Sequence, residues 1–241
     1  MQGMILAAGY GTRLAPLTDN CPKALILLNG KPLLWHVIEK FINSGINEIV
    51  INAHFLSEQV IEFIHSTQFK AEIKVVVEKD ILGTGGGIFN MLDHISEDDF
   101  FVYNTDVVSS ANLANLMVHH KKHSPLATMV MQNRETFNQV IIDRENKFCG
   151  LKYIKKNSEI IAREPLLPFR ILAFCGIHVI NKRIKEYKSA ENEFSIIKTY
   201  LEAAKNNENI LSYEREFYWK DVGTFEKLKE AEDYLNKKRD V

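Results

Sequence analysis

The sequence predicts an α/β fold: a three-layer sandwich in which helices cover a mostly parallel, mixed central sheet, with a small antiparallel extension. In the first half, short apolar runs alternate with amphipathic stretches of roughly 10–15 residues, the pattern of parallel strands joined by helices. After residue 124, strand-like segments follow one another with little helix between them. The chain contains no linker rich in Pro, Gly or Ser, so residues 1–241 are expected to form one domain with halves 1–124 and 125–241.

The elements of the first half follow from the residue pattern. A strand is expected over residues 4–8, an apolar run that stops at Gly9. Residues 32–44 carry apolar residues at helical spacing, and Gly45 provides the helix stop. The other expected elements are strands at 48–52, 73–78 and 100–104, and a helix at 57–66 with Ser57 as its N-cap.

The second half predicts more strands and two closing helices. Strand-like segments occur at 126–132, 139–143, 149–154 and 171–179, and amphipathic helices are expected at 194–205 and 224–237. A helix before residue 124 carries His119 and His120 beside three further basic residues, a pattern that favours a solvated helix face over a metal site.

Composition excludes several classes of protein. The formal net charge is −1, so no excess of positive charge is available to hold nucleic acid or an anionic membrane surface. The three cysteines are far apart, which favours neither a disulfide framework nor a zinc knuckle. No signal peptide or membrane-spanning run is recognisable. We therefore expect a cytoplasmic protein with small-molecule partners, a monomer or small homo-oligomer.

A first motif follows the first strand directly, where residues 6–14 read LAAGYGTRL. Gly9 and Gly11 permit a tight turn whose backbone amides can bind phosphate, and Arg13 and Lys23 can neutralise two phosphate groups. A dinucleotide fingerprint needs a small residue where Leu14 stands, and a P-loop needs a Gly-Lys-Ser/Thr triplet that is missing. A turn that merely connects two elements would not explain the two cations.

A second motif lies in residues 78–88, which read EKDILGTGGGI between a strand and a helix. Glycines at 83, 85, 86 and 87 would let the backbone approach a flat ligand and read the edge of a base with its amides. Taken alone, the same run is equally compatible with a flexible hinge.

A third feature is a pair of aspartates at widely separated positions. Asp106 follows the apolar strand that ends at residue 104, and ligands of open α/β sheets bind at the carboxyl ends of strands. Asp221 precedes the last helix in the segment WKDVGT. Carboxylates together with phosphate oxygens are typical Mg²⁺ ligands, although a lone Asp after a strand is more often a turn residue.

These motifs together resemble the signature of sugar-1-phosphate nucleotidyltransferases, and the resemblance covers residues 1 to about 232. The match includes Gly9-Tyr10-Gly11-Thr12-Arg13-Leu14-Ala15-Pro16-Leu17-Thr18, Pro22-Lys23, the glycine run, Asp106 and Trp219-Lys220-Asp221-Val222-Gly223-Thr224. The resemblance implies a Rossmann-like sandwich whose first half binds the nucleotide and whose second half binds the sugar and completes the metal site.

The resemblance also implies roles for residues. Arg13 is expected to contact the pyrophosphate leaving group, Lys23 the reacting phosphates, and Asp106 and Asp221 a Mg²⁺ ion; Arg13, Lys23 and Asp106 are the expected catalytic residues. The expected nucleotide site consists of Leu6, Ala7, Ala8, Gly9, Tyr10, Gly11, Thr12, Arg13, Lys23, Glu78, Gly83, Thr84, Gly85, Gly86, Asn104 and Asp106. Asn104-Thr105 replaces the more usual glycine before Asp106, which leaves the local turn open.

The sugar side is expected to involve Asn138, Glu164, Gly176 and Asp221, with Asn52 and His54 as further candidates. Relatives often carry a Glu-Lys-Pro box, whereas this chain has Arg163-Glu164-Pro165. For each of the polar candidates, a surface or capping role is at least as well supported by the residues alone.

The expected reaction joins a nucleoside triphosphate to a sugar 1-phosphate and releases pyrophosphate. The form of the glycine run is closest to N-acetylmuramate-1-phosphate uridylyltransferases, so UTP with N-acetylmuramate 1-phosphate is the first expectation. Mannose-1-phosphate guanylyltransferase and phosphocholine cytidylyltransferase remain open. A non-enzymatic nucleotide-sugar sensor and a dinucleotide-dependent oxidoreductase are the alternatives from other classes.

Overall fold

The computed structural model describes residues 1–239 and contains a ten-stranded mixed sheet together with two short two-stranded ribbons. The strands are β1 (Gln2–Leu6), β2 (Leu27–Leu28), β3 (Lys31–Pro32), β4 (Glu48–Ala53), β5 (Glu72–Val77), β6 (Asp99–Asn104), β7 (Val107–Ser109), β8 (Ala127–Gln132), β9 (Asn138–Ile142), β10 (Phe148–Tyr153), β11 (Ser158–Ile161), β12 (Arg170–Asn181), β13 (Ile210–Glu214) and β14 (Trp219–Asp221). The α-helices are α1 (Leu33–Asn43), α2 (Ser57–Ser66), α3 (Gly83–Met91), α4 (Leu113–His123), α5 (Ile196–Lys205) and α6 (Phe225–Arg239). Four 3₁₀ helices cover Thr12–Leu14, Lys23–Leu25, Leu92–His94 and Lys182–Tyr187.

The sheet confirms the predicted fold class. Its order is β11-β10-β9-β12-β6-β1-β4-β5, and β8 joins β12 and β13. β1 lies between β4 and β6, and the β4, β1, β6 and β5 neighbours pair in parallel. The long strand β12 runs antiparallel to β6, β8 and β9, so the antiparallel strands of the second half continue the same sheet.

Helices cover both faces of the sheet. Successive residues of a strand point to opposite sides, so each strand contributes apolar side chains to both faces. Ile5 of β1 belongs to a buried cluster that includes apolar residues of α1, α2 and α4. Its neighbour Met4 belongs to the cluster on the other face, which includes residues of α3 and α5. Both side chains are fully buried. The result is the expected three-layer sandwich.

The last helix packs outside this sandwich and completes the edge of the candidate site. Leu228 and Ala231 of α6 form a third buried cluster with Val222 and with Leu28 of the β2–β3 ribbon. This packing fixes the direction in which the segment 219–224 enters the helix. The segment that carries Asp221 is therefore held from both of its ends.

Three local expectations differ from the structure. Helix α2 begins at Ser57, but its N-cap is Leu56 in a left-handed conformation (φ 52°), and the Ser57 side chain does not cap it. The glycine run is the start of helix α3 and not a loop. His120 is fully buried and bonds to Thr128 (2.8 Å) and Asp99 (3.1 Å), so the prediction of a solvated face is wrong for this residue.

In residues 1–239, no helix is both long and apolar enough to cross a membrane.

Candidate active site

A pocket of about 190 Å³ lies at the carboxyl edge of the parallel strands, beside β1. The chain proceeds from β1 to β4 and β5 on one side and then to β6 on the other, so the strand order reverses here. This is where open α/β sheets bind ligands. The lining residues are Leu6, Ala7, Ala8, Gly9, Lys23, Ala24, Asn52, Ile81, Gly83, Thr84, Asn104, Thr105 and Asp106.

The loop after β1 folds back so that Lys23 reaches this pocket. Gly11 adopts a left-handed conformation (φ 68°), and a Cβ atom at Gly11 would come within 2.8 Å of the Cβ atom of Lys23. The Thr18 hydroxyl donates to the Gly11 carbonyl over 3.1 Å, which closes the loop. Glycine is needed at this position for both its backbone conformation and its lack of a side chain.

Lys23 and Asp106 form an ion pair on the wall of the pocket. Their side chains are 14% and 26% exposed, so both remain accessible to a ligand. The turn before Asp106, which the sequence left open, is fixed by Thr105, whose hydroxyl donates to the Leu6 carbonyl over 2.7 Å. Asp106 is thereby held beside the end of β1.

The β7–β14 ribbon brings the two aspartates together across 115 positions of sequence. In this antiparallel ribbon Asp221 pairs with Val107, and the Val222 N–H donates to the Asp106 carbonyl over 2.8 Å. Asp106 and Asp221 therefore lie at the same end of the ribbon. The pairing is long-range, so the sequence could name the two residues but not the element that joins them.

Two cations surround Asp221. Lys227 donates to its carboxylate over 2.5 Å, and the Gly223 N–H donates to the other oxygen over 2.9 Å. A Cβ at Gly223 would lie 2.6 Å from a guanidinium nitrogen of Arg13, so Arg13 packs directly against this turn. Burial alone would raise the pKa of Asp221, but Lys227, Gly223 and Arg13 bring that pKa below its ordinary value. Asp221 is therefore an anion at neutral pH.

Asp106 and Asp221 are the residues that could hold a magnesium ion together with a phosphate ligand. Mg²⁺ prefers oxygen ligands and usually takes one or two carboxylates with substrate phosphates and water. Asp106 and Asp221 are each 26% exposed at the side chain. Within the described part of the chain, no cluster of three or more His, Cys, Asp or Glu side chains could hold a metal. A magnesium ion held here would therefore need phosphate or water ligands besides the two carboxylates.

Beneath the pocket, Asn52 and Glu78 form a buried network. The Asn52 amide oxygen accepts from the Ala7 N–H over 2.7 Å, and its NH₂ group donates to the Glu78 carboxylate over 2.7 Å. The other carboxylate oxygen accepts from the Leu82 N–H over 3.3 Å. Burial raises the pKa of Glu78, and hydrogen bonds from Asn52 and Leu82 oppose that rise. The network ties β1 to the glycine run, and Glu78 acts within it as a positioning residue.

Most of the glycine run packs against protein. A Cβ at Gly85 would lie 2.4 Å from the Phe194 ring, and one at Gly86 would lie 2.5 Å from the Asn192 carbonyl. The Gly85 N–H donates to the Phe194 carbonyl over 2.8 Å. In this structure Gly83 and Thr84 line the pocket, whereas Gly85 and Gly86 hold α3 against the segment that leads into α5. The expected nucleotide contacts of Gly83, Thr84, Gly85 and Gly86 stay predictions.

On the opposite wall, Asn104 packs on a bulge of β12. Gly176 (φ 70°) lies so close that a Cβ there would meet the Asn104 side chain at 2.6 Å. Arg134 and Trp219 hold this bulge: Arg134 donates to the Phe174 carbonyl over 2.7 Å, and Trp219 donates to the Cys175 carbonyl over 2.8 Å. Sequence reasoning missed Arg134, which also stacks on the Trp219 ring at 3.7 Å.

Several predicted residues lie outside the pocket wall. The Tyr10 hydroxyl bonds to the His54 ring over 3.1 Å, and Tyr10 and Thr12 are exposed on the loop. Asn138 is exposed beside a separate groove near α5. Glu164 is exposed and does not line the pocket beside β1. The sugar-binding roles of Asn138 and Glu164 stay predictions.

Comparison with known proteins gives the sequence a family. A family model described as nucleotidyl transferase matches residues 2–140. A mannose-1-phosphate guanyltransferase of Yarrowia lipolytica is 31% identical over 92% of this chain and 61% of its own length. The chain spans about three fifths of the length of such curated relatives.

Solved structures share the fold over the whole chain. HddC from Yersinia pseudotuberculosis complexed with GMP-PN has a TM-score of 0.77 and 20% identity, and the match covers 97% of this chain and 99% of that one. UDP-glucose pyrophosphorylase complexed with UDP-glucose also has a TM-score of 0.77 and 20% identity, with 98% of each chain covered. At this level of identity the likeness concerns the fold.

Proposed function

This chain belongs to the nucleotidyl transferase family, and from that premise we propose that it joins a nucleoside triphosphate to a sugar 1-phosphate, releasing pyrophosphate and forming a nucleotide-sugar. The observation that carries the proposal is that Lys23 and Asp106 line the pocket at the strand-reversal point, while the β7–β14 ribbon places Asp221 next to Asp106 and Arg13 packs on the Gly223 turn beside Asp221. These side chains come from four segments of sequence. Their convergence supports chemistry on a charged phosphate chain.

The proposed reaction is an in-line displacement at the α-phosphorus. A phosphate oxygen of the sugar 1-phosphate forms the new P–O bond, and the bond to the β-phosphate breaks so that pyrophosphate leaves with the electron pair. Because the attacking phosphate is already an anion, no protein nucleophile is needed. The protein contributes position and charge.

Each charged side chain has a proposed task. Lys23, after exchanging Asp106 for a phosphate oxygen, stabilises the charge that gathers on the α-phosphate. Arg13 holds the departing pyrophosphate with its planar guanidinium. Asp106 and Asp221 would hold Mg²⁺, which when bound supplies positive charge against phosphate oxygens. The Asn52–Glu78 network fixes the Ala7 amide at the pocket wall.

For the substrates, we propose GTP and mannose 1-phosphate. The support is the similarity to mannose-1-phosphate guanyltransferases of several fungi, at 28–31% identity over 92–98% of this chain. The expectation of UTP with N-acetylmuramate 1-phosphate, which depended on the form of the glycine run, receives no support from these relatives.

The test is a pyrophosphate-release assay with Mg²⁺, in which the four common nucleoside triphosphates are crossed with a panel of sugar 1-phosphates. We expect turnover with GTP and mannose 1-phosphate, loss of turnover in Asp221→Asn, and normal turnover in the control Asp93→Asn, which changes an exposed aspartate. Turnover with another pair would keep the reaction and change the substrates. Folded protein that binds a triphosphate but releases no pyrophosphate with any pair would overturn the proposal in favour of a phosphocholine cytidylyltransferase or a nucleotide sensor.

A further inference from the structure

Lys227 is a cation of the candidate site that the sequence motifs did not include. Its ammonium group donates to the Asp221 carboxylate over 2.5 Å, and its side chain is 37% exposed. Asp221 in turn lies beside Arg13 through the Gly223 turn. Lys227 therefore stands at the same rim as the expected metal and pyrophosphate ligands.

The position of Lys227 in its helix is unfavourable for helix stability. Helix α6 begins at Phe225, and the Lys227 N–H donates to the Thr224 hydroxyl over 3.4 Å, so Lys227 lies in the first turn. The first turn carries the positive end of the helix dipole, where cations are disfavoured and acidic residues are preferred. A lysine held there, with its ammonium group turned to the site, calls for a reason other than helix formation.

The Lys227–Asp221 pair repeats the arrangement of Lys23 and Asp106. The two aspartates lie at the same end of the β7–β14 ribbon, and each forms an ion pair with one lysine. A divalent cation held by both carboxylates would replace both lysines as the partner of these oxygens. Two phosphate-bearing substrates then offer each of them a new anion.

We propose that Lys227 binds the phosphate group of the sugar 1-phosphate, while Lys23 serves the triphosphate. This inference rests on the proposed function and adds a substrate-binding residue to it. When the Lys227 ammonium group leaves Asp221, it donates to the phosphate of the sugar 1-phosphate. It returns to Asp221 after the nucleotide-sugar departs. Lys227 therefore affects binding of the sugar 1-phosphate more than binding of the triphosphate.

A purely structural role for Lys227 makes a different prediction, and the chain offers a matched control. Lys220 of β14 forms an ion pair with Glu230, which also joins β14 to α6. Loss of either lysine removes one ion pair between the ribbon and the last helix. Lys220 pairs with Glu230 on the helix, whereas Lys227 pairs with the site residue Asp221.

The experiment compares Lys227→Gln, Lys227→Arg and Lys220→Gln with the parent protein by steady-state kinetics with GTP and mannose 1-phosphate, and by calorimetric titration of GTP. We expect Lys227→Gln to raise the KM for the sugar 1-phosphate by about 10- to 100-fold, the usual effect of losing one charge-assisted hydrogen bond. The dissociation constant of GTP should change by less than about threefold, Lys227→Arg should recover part of the loss, and Lys220→Gln should behave like the parent.

The outcomes distinguish failure of this inference from failure of the proposed function. An active parent with an unchanged sugar 1-phosphate KM in Lys227→Gln overturns this inference and leaves the proposed function intact. Equal effects of Lys227→Gln and Lys220→Gln overturn it as well, because they indicate a structural role. A folded parent without turnover on any substrate pair overturns the proposed function and this inference with it.

Discussion

Replacing Asn52 by alanine tests whether the buried network beneath the pocket organises the candidate site. Asn52 is 2% exposed and bonds to both the Ala7 N–H and the Glu78 carboxylate. Its removal leaves a buried N–H without this acceptor, at about 1–3 kcal/mol, and takes one donor from a buried carboxylate, at about 1.5–3 kcal/mol. We expect a total loss of about 3 kcal/mol in the free energy of unfolding.

For a chain of this size, that loss corresponds to a decrease in Tm of roughly 6–12 °C. Urea unfolding and thermal unfolding of Asn52→Ala measure it, with Asn90→Ala, at an exposed position of α3, as the control expected to stay within about 0.5 kcal/mol of the parent. A decrease in Tm of less than about 2 °C would refute the reasoning, because the two hydrogen bonds would then contribute almost nothing.

A second variant at this position, Asn52→Asp, tests the same network through the pH dependence of stability. The new carboxylate still accepts from Ala7 but faces the Glu78 carboxylate at hydrogen-bond distance, where two carboxylates cannot both ionise. The folded-state pKa of the pair is therefore raised, so stability is retained at low pH and lost as pH rises through that pKa. The Tm difference between Asn52→Asp and the parent should narrow as pH falls from 8 to 5.

Three further predictions concern packing, pH and catalysis. Gly86→Ala should lower the free energy of unfolding, measured in urea, by about 1–3 kcal/mol, because the new Cβ would meet the Asn192 carbonyl at 2.5 Å. An increase of up to about 1 kcal/mol, which helix propensity alone predicts, would contradict this. Burial lowers the pKa of His178 to about 3, so below the ordinary pKa of 6.5 the unfolded state binds more protons than the folded state. The free energy of unfolding should therefore decrease by about 2 kcal/mol as the pH falls from 7 to 5, and this part of the pH dependence should disappear in His178→Asn. Lys23→Ala should lower kcat by about 10²–10³ and change stability by less than about 1 kcal/mol, because its ion pair with Asp106 is partly exposed; near-normal turnover would exclude the assigned role.

The sequence predicted the elements that depend on local pattern. The strands at β1, β4, β5 and β6 agree with the expected ranges within one or two residues, because apolar runs bounded by polar residues describe strands buried on both faces. Helices α1, α5 and α6 also have the expected apolar spacing. The alternation of strand and helix was then sufficient to predict a parallel sheet and its ligand-binding edge.

Features that depend on distant contacts could not be predicted. The β7–β14 ribbon pairs Val107 with Asp221, and neither three-residue strand has a pattern of its own. The glycine run has the composition of a loop, but the 192–196 segment packs on it so closely that it becomes a helix start. His120 has basic neighbours in sequence and yet points to the core, where Thr128 and Asp99 hold it.

The most direct test of the central claim is the release of pyrophosphate from GTP, with Mg²⁺ and mannose 1-phosphate, by the parent protein and by Asp221→Asn. The claim is that side chains from distant segments form one site for nucleotidyl transfer, so we predict turnover by the parent and a loss of about 10²-fold or more in the variant. Equal turnover by the two proteins would contradict the assignment of Asp221, and a folded, triphosphate-binding parent that is inactive with every substrate pair would contradict the claim itself.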